Sequence, residues 1–446
     1  MKRRLGTTFP ALTALIFGLF AGAAWADSQA RIVRLSDVQG SVKIDRNLGQ
    51  GYEKAFLNTP ITQGMKLQTS EDSRAEVEFE DGSVIHLAPN TVLVFKELAL
   101  ADSGGKISTV EVREGQAYFN LRGANKDEFA VTFIHQKTAL TGPAHFRVRV
   151  NDTDASLAVF TGDVKVEGSA GELEVGKKQT ATFDLLNDEQ AKLEKNIESD
   201  PFDAWDKQES QYHERYTNAS VNNAMPAYGM SDLSYYGNYL DVPGYGLMWQ
   251  PYFAGPGWDP FLDGAWMWYP GFGFTWVSAY PWGWLPYHYG GWEFIPGFGW
   301  FWNPGSTFFV FNPVVPVIRP PLHYVPPRPP LPSAPHTTVV VGRGPVSGGS
   351  VLGGRSTLVV RGPNAGLGIP RGITNLSKVN RDFTRTGAVA MPSTTRVTSG
   401  GVHTGMASVG RISAADSMSG AHVSTGARAS SVSTGHASSS HSGSHH

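Results

Sequence analysis

The fold is decided by a stretch that reads GAWMWYPGFGFTWV at residues 264–277. It lies within a segment of seventy residues, 236–305, in which twenty-five side chains are Trp, Tyr or Phe. This segment holds ten of the twelve tryptophans of the chain. Because few aliphatic side chains accompany them, we expect the aromatic rings themselves to form the core of this region.

The aromatic segment repeats with a period of 26 residues. In each copy two extended arms flank a Pro-Gly turn, which predicts a β-hairpin with facing aromatic pairs. A single hairpin is marginally stable in water, so we expect about three hairpins packed as a small β-meander over residues 228–305. The repeat places six tryptophans at equivalent positions: Trp258, Trp266, Trp276, Trp284, Trp292 and Trp302.

The six tryptophans have two interpretations. Rows of aromatic side chains separated by Gly and Asp are typical of modules that stack sugar rings, which makes these tryptophans candidates for a platform that binds a glycan or cell-wall polymer. The competing interpretation is that the rings only pack against one another as a core. The sequence leaves both open.

The N-terminus predicts export from the cytoplasm. Basic residues at positions 2–4 precede an apolar run at 11–23, and Ala24-Trp25-Ala26 has small residues at the −3 and −1 positions of a cleavage site. This pattern predicts a signal peptide over residues 1–26 and a periplasmic, secreted or outer-membrane-associated protein. No other apolar run is long enough for a membrane span, so we expect no transmembrane segment after cleavage. The chain has no cysteine, which excludes disulfides and thiol chemistry.

Residues 29–186 alternate apolar and polar side chains with the period of two that is typical of β-strands. The clearest example is a hairpin formed by residues 75–80 and 83–87 around Asp81-Gly82, for which we expect a solvated acidic outer face. Many short strands joined by tight turns, without intervening helices, predict a β-sandwich or a rolled β module.

A series of short motifs runs through this module in a fixed order. It comprises Gly40-x-Val42, Gly64-x-x-Leu67-x-Thr69, Ala75-Glu76-Val77, Asp81-Gly82-Ser83, Pro89-Asn90-Thr91 and Gly162-x-Val164-x-Val166. With these motifs the module resembles the FecR domain family, which implies an extracytoplasmic β domain. The founding members of that family signal across the inner membrane to control a sigma factor, through a cytoplasmic segment and a membrane helix. This sequence shows neither segment. We therefore expect it to share with the family only a module for protein or envelope contacts.

The order of modules carries a second resemblance. The chain resembles bacterial envelope proteins in which a Tyr/Trp/Gly/Pro-rich repeat region of unknown function follows a FecR domain. The residues that carry this resemblance include the Trp205 helix segment and the repeat around Trp284 and Trp292. The resemblance implies an envelope protein but supplies no activity.

The remaining segments are linkers and tail. Residues 187–217 carry charges at helical spacing, which predicts a helical linker of two helices that meet near Asp200-Pro201. Residues 306–335 are rich in proline and predict a semi-rigid polyproline II spacer. Residues 336–446 are rich in Gly, Ser and Thr, so we expect a disordered basic tail.

Charge is distributed unevenly along the chain. The balance is −10 over residues 27–216 and +8 from residue 333 onward. A basic tail can meet an acidic surface, but a tail whose charge keeps it solvated is the simpler interpretation, and no nucleic-acid partner is expected. The end of the chain is rich in histidine, at His436, His441, His445 and His446. These ligands have no fixed geometry, so no metal site is assigned.

The usual catalytic motifs are absent. The sequence contains no His-Glu-x-x-His, no Gly-x-Ser-x-Gly and no phosphate-binding loop, and His86, His135 and His145 have no sequence partners that mark a triad. We therefore expect a non-catalytic exported envelope protein, without a cofactor, that binds a protein partner or a cell-envelope polymer. Two alternatives remain: a cell-wall polysaccharide hydrolase that uses the aromatic region as its binding module, and a FecR-type signalling component without its own cytoplasmic anti-sigma segment.

Overall fold

The computed structural model describes residues 31–123, 126–140, 142–168, 171–187, 190–217, 227–305, 311–331, 338–342, 357–372 and 375–392. The protein is mainly β, as predicted. The predicted signal peptide and the histidine-rich end lie outside the described residues. No helix in the described part of the chain combines the length and the apolar character of a membrane span.

The N-terminal β module is one continuous 17-stranded sheet that folds into two layers. Its strands are β1 (Val33–Gln39), β2 (Val42–Asp45), β3 (Tyr52–Lys54), β4 (Pro60–Ile61), β5 (Lys66–Thr69), β6 (Arg74–Glu78), β7 (Val84–Leu87), β8 (Val92–Leu100), β9 (Lys106–Leu121), β10 (Glu128–Phe133), β11 (Gln136–Leu140), β12 (Ala144–Val150), β13 (Asp154–Thr161), β14 (Val164–Gly168), β15 (Gly171–Val175), β16 (Gln179–Asp184) and β17 (Gln190–Glu194). Apolar side chains from both layers form a single buried core, which agrees with the predicted sandwich or rolled module.

The long strand β9 joins the two layers. Its first half pairs with β8 and β10, and its second half pairs with β7 and β12. Gly115 lies between the halves with a φ of 83°, and a Cβ there would lie 2.2 Å from the carbonyl oxygen of Asn90. Only glycine fits this backbone conformation and this close approach, so Gly115 is where the strand passes from one layer to the other.

The predicted helical linker is only partly helical. Strand β17 pairs with β16, with Leu193 opposite Ala181 and Ala191 opposite Phe183. The alternation of Ala191 and Leu193 with polar neighbours fits a strand, and the available sheet edge decides the conformation. Helix α1 follows as Asp203–Thr217, so one helix and one strand replace the two predicted helices.

Helix α1 covers the outer face of β6, where a solvated acidic surface was expected. Glu76 and Glu78 are 0% and 1% exposed, so that expectation is wrong. The helix brings His213 against these two glutamates and Asp206 against His86. The alternating glutamates are buried because they meet cations from other parts of the chain.

The aromatic region forms three hairpins, as expected, preceded by helix α2 (Met230–Tyr236). Its elements are β18 (Gly237–Val242), β19 (Gly246–Pro251), β20 (Gly264–Tyr269), β21 (Gly273–Ser278), α3 (Leu285–His288), β22 (Gly291–Ile295), β23 (Gly299–Asn303), β24 (Val317–Arg319) and β25 (Val339–Val341). They do not form one meander. The first and third hairpins share a sheet through the pair Trp249 and Trp302, while the second hairpin pairs with β25 in another sheet.

The β20–β21 hairpin, called here the shared hairpin, has two buried faces. Ala265, Met267 and Val277 belong to the core of the β module. Trp266 and Trp276 belong to the aromatic core on the other side. Because side chains of a strand alternate between faces, this hairpin is a common wall of the two cores, and a continuous meander could not provide it.

Part of the predicted disordered tail is ordered. Strands β26 (Thr357–Arg361) and β27 (Ala388–Pro392) pair, and helix α4 (Leu376–Thr386) lies between them in sequence. Asn375 caps this helix by accepting a hydrogen bond from the backbone N–H of Lys378. The ring of Phe383 packs on Phe253, at 5.4 Å between centroids. The rest of the tail beyond residue 392 lies outside the described residues.

We predict that Met267→Ala lowers the free energy of unfolding by about 2–5 kcal/mol, since Met267 is fully buried in the wall between two cores. Far- and near-ultraviolet dichroism should lose their signals in one thermal transition at a lower temperature. Leu322→Ala is the control, because Leu322 is 88% exposed and should change stability by less than about 0.5 kcal/mol. Two separate transitions in the wild-type protein would contradict a shared core.

Candidate functional site

The most concentrated group of ionisable side chains lies between the β module, α1, α2 and the tail. Its eight members, called here the junction network, have side chains at most 6% exposed. The members are Arg34, Glu76, Glu78, His86, Asp206, His213, Asp232 and Arg371. They come from segments far apart in the sequence, so the folded chain alone creates the group.

Arg34 of β1 connects the β module to the aromatic region. One of its terminal nitrogens lies 3.1 Å from Glu78, and the other lies 2.5 Å from Asp232 of α2 and 3.0 Å from the Pro281 carbonyl oxygen. Its Nε donates to Asn58 at 3.1 Å. The guanidinium is fully buried, and these charge-assisted bonds compensate for its lost hydration.

Arg371 brings the tail into the same network. Its Nε and one terminal nitrogen contact the two carboxylate oxygens of Asp232 at 3.0 and 2.9 Å. The other terminal nitrogen donates to Glu76 at 2.7 Å, and the terminal nitrogen that contacts Asp232 also donates to the Ser36 carbonyl oxygen at 2.8 Å. The guanidinium also lies 5.0 Å from the ring centre of Tyr212. This forked arrangement is specific to arginine.

Two histidines of the network have raised pKa values. Burial opposes protonation of His86, but hydrogen bonds to Asp206 at 2.7 Å and Glu76 at 3.1 Å outweigh it and raise its pKa to about 10. His213 is also buried, yet the negative charge of Glu76 raises its pKa. Its Nε2 lies 3.0 Å from Glu76, at an angle outside that of a regular hydrogen bond.

The carboxylates respond in opposite directions. Burial raises the pKa of Asp206, but hydrogen bonds from His145 and His86 more than reverse this and hold it at about 2. The pKa of Glu76 is held well below its ordinary value because His213 and Arg371 outweigh its burial. Burial dominates at Glu78 and raises its pKa. Two arginines and two histidines with raised pKa values therefore contact the carboxylates where solvent does not reach, and together they hold the segments to one another.

A separate cleft of about 390 Å³ lies on the β module. Arg31, Lys106 and Asp127 line it together with the apolar ring of Phe129. Arg31 is held by two bonds to Glu80, at 2.9 and 2.7 Å, and Lys106 Nζ lies 3.5 Å from Asp127. Mixed charges beside an aromatic ring suit the binding of a polar chain segment.

All six candidate tryptophans are buried. Their exposed fractions are between 0% and 3%. Trp266 meets Trp276 edge to face at 5.2 Å between ring centroids, and Trp258 meets Trp292 in the same way at 5.7 Å. Since none presents a ring face to solvent, the structure replaces the proposed sugar platform with an aromatic core. The physical reason is that rings fill the volume that aliphatic side chains occupy in other cores.

Two regions of the chain match known families. Residues 65–165 match the family model described as FecR protein, so the chain contains a FecR domain. Residues 230–319, from the start of α2 to the end of β24, match a family of unknown function, DUF6600. The protein is thus one in which a DUF6600 region follows a FecR domain, as the sequence predicted.

Comparison with solved and curated proteins adds little. Two crystal structures of a candidate anti-sigma factor from Parabacteroides distasonis are similar to this chain at 23% and 22% identity, with a TM-score of 0.28 for each. The matched region covers 31% of this chain and 63% of that protein. No curated protein matches the chain.

Sequence reasoning missed the residues of the junction network. The sequence indicates no partner for His86 or His145, yet both contact Asp206. Arg371 and Asp232 are separated by 139 positions, and no short motif connects them. Arg371 is one of ten basic residues in the tail, so nothing in the sequence singled it out or indicated which carboxylate it meets. Among the described residues, no group of three His, Asp or Glu side chains is arranged to hold a metal ion.

We predict that Arg371→Met releases the ordered tail and destabilises the protein by about 3–5 kcal/mol, because Glu76 and Asp232 lose a buried partner. Limited proteolysis should then cut within residues 357–392 before the rest of the chain. Arg381→Met is the matched control, since Arg381 is exposed on α4 of the same tail. An unchanged cleavage pattern in Arg371→Met would show that the network does not hold the tail.

The network also predicts a pH dependence. The pKa of His86 is raised to about 10 in the folded protein, so its contribution to stability is complete below the unfolded value of about 6.5 and is lost as pH rises through about 10. Denaturant unfolding at pH 6 and pH 10 should show a loss of roughly 4 kcal/mol. His86→Gln should lower stability at pH 6 and flatten this dependence, whereas the exposed control His135→Gln should retain it. If stability depends on pH equally in His86→Gln and in the wild-type protein, His86 is not the source of this dependence.

Proposed function

We propose that the protein is a non-catalytic exported envelope protein that binds a protein partner on the outer surface of its joined FecR and DUF6600 regions. The observation that carries this proposal is the closure of the junction network. The ionisable groups of the network pair with one another and hold the modules together. Their side chains are at most 6% exposed, so a substrate in solution does not reach them. A general acid or base must reach its substrate, and these groups do not.

A protein partner is favoured over a polysaccharide. Stacking of a sugar requires an accessible ring face, and the six repeat tryptophans have none. A retaining or inverting glycosidase requires two carboxyl groups on either side of an open substrate site. The closely spaced carboxylates of the junction network, such as Glu76 and Asp232, are fully buried instead. These observations weigh against the wall-hydrolase alternative.

The cleft beside Lys106 is the place where we expect the partner to contact the FecR domain. It is open to solvent and lined by charges of both signs, which suit a polar segment of another protein. The backbone N–H of Lys106 also donates to Asp127 at 2.9 Å, so the rim is ordered around this pair. The substitution Lys106→Glu would place a second carboxylate beside Asp127.

The direct test uses tagged protein in an envelope extract, followed by chemical crosslinking and identification of retained proteins. Lys106→Glu should reduce retention of a specific protein by about tenfold, through like-charge repulsion at the cleft. Lys54→Glu is the matched control, because Lys54 is an exposed lysine on β3 away from the cleft lining. If wild-type protein retains no protein, or releases reducing sugar from purified peptidoglycan, the proposal is wrong.

The FecR domain favours a second candidate, a FecR-type signalling component that passes a binding event to another envelope protein. The match at residues 65–165 supports this role. Deletion of the chain should then change transcription of a defined set of genes, and Lys106→Glu should reproduce that change at unchanged protein level. A transcriptome identical to the parent strain would exclude signalling and leave simple adhesion.

A further inference from the structure

We propose that residues 324–331, called here the polyproline arm, form a ligand that the partner protein holds in an aromatic-lined groove with an acidic side chain at one end. This inference rests on the proposed function and specifies the chemistry of its partner. The arm reads YVPPRPPL and follows the last strand of the DUF6600 region, β24. It is an interaction surface distinct from the cleft on the β module.

The composition of the arm and its pattern of exposure fit a polyproline II helix. Four of its eight residues are proline, whose rings fix φ near the value of that helix. The polyproline II helix has three residues per turn, and the exposure of the arm follows the same period. Tyr324, Pro327 and Pro330 are half-buried, while the residues between them are exposed. One ridge of the helix therefore faces the body of the protein and two ridges face solvent.

The start of the arm is fixed to the aromatic core. The hydroxyl of Tyr324 donates to Asp259 at 3.1 Å, and its ring packs edge to face on Trp300 at 4.9 Å between centroids. The backbone N–H of Tyr324 donates to the Pro321 carbonyl oxygen at 3.1 Å. His323 has a φ of 65°, so the chain turns sharply just before the arm. The arm thus leaves a rigid base in a set direction.

One outward ridge carries the side chains that a partner would read. Val325, Arg328 and Leu331 follow one another at intervals of three, on the same side of the helix. Val325 and Leu331 are 71% and 81% exposed. Arg328 is exposed, and it has no carboxylate partner among the described residues. Two exposed apolar side chains on either side of a cation, all on one ridge, form a pattern that a partner can recognise.

The pattern favours a protein groove over other occupants. Grooves that bind polyproline II segments hold the proline ridges between aromatic rings and gain from the low entropy of the preformed helix. A carboxylate in the groove would pair with Arg328 and set the direction in which the arm binds. A single cation on the arm provides little attraction for a lipid surface or a polyanion.

The test is site-specific photo-crosslinking of the full-length protein in cells, with the photoreactive amino acid placed at one position at a time. Crosslinks should form from Val325 and Leu331, and should be weak from Pro327 on the inward ridge. Mapping of the crosslinked peptides should locate aromatic residues and an Asp or Glu beside the attachment point. A synthetic peptide of residues 321–335 should compete, and the same composition in scrambled order should not.

Charge reversal supplies the matched comparison. Arg328→Glu should reduce the crosslink from Val325 by about tenfold, through repulsion from the acidic groove, whereas Arg385→Glu, at an arginine 77% exposed on α4, should leave it unchanged. Equal crosslinking from Pro327 and Val325, a crosslink to a second copy of this chain or to lipid, or insensitivity to Arg328→Glu would overturn the arm as the ligand. If a partner is still retained in the extract while the arm fails these tests, the proposed function stands without it. If the wild-type protein neither retains a partner in the extract nor forms crosslinks from the arm, the proposed function and the arm as its ligand are both wrong.

Discussion

The structure depends on a hairpin with two buried faces. A strand in an ordinary sandwich presents one face to its core and the other to solvent. In the shared hairpin, Met267 completes the core of the FecR-containing module, and Trp266 on the next position belongs to the aromatic core. Neither region can bury its apolar surface fully without the other. The two regions match different sequence families, yet we expect them to unfold together. This explains why the hairpins occupy two sheets.

Electrostatics adds a second constraint to this apolar one. Buried ion pairs seldom increase stability over a well-packed apolar core, but they specify which surfaces come together, because any other arrangement leaves charges unpaired. Arg34 fixes the β module to α2, and Arg371 fixes the tail to both. Asp232 receives both guanidinium groups and is therefore the point on which three segments converge.

The sequence predicted local structure well and long-range placement poorly. The period of two identified the strands of the β module, and the 26-residue repeat identified three hairpins with correct Pro-Gly turns, because these patterns arise from contacts between near neighbours. The strand β17 was missed because a neighbouring sheet edge, and not its own composition, decides its conformation. The sequence wrongly predicts solvated glutamates on β6, because an alternating acidic face looks the same whether water or an arginine from 295 positions away covers it. Likewise, the low complexity of the tail concealed the single arginine and the capped helix that anchor it.

The distance in sequence between Glu76 and Arg371 has a consequence for how the molecule is made. The N-terminal part is synthesised, and in an exported chain also translocated, before the tail, and domains generally fold in that order. Until the last quarter of the chain is available, the buried carboxylates of Glu76 and Asp232 lack Arg371 as a partner. Closure over so long a loop is slow, and an incomplete chain that ends before this arginine retains an open, charged seam. The tail therefore closes a seam that the earlier segments leave open, and only the complete set of segments pairs both carboxylates with Arg371.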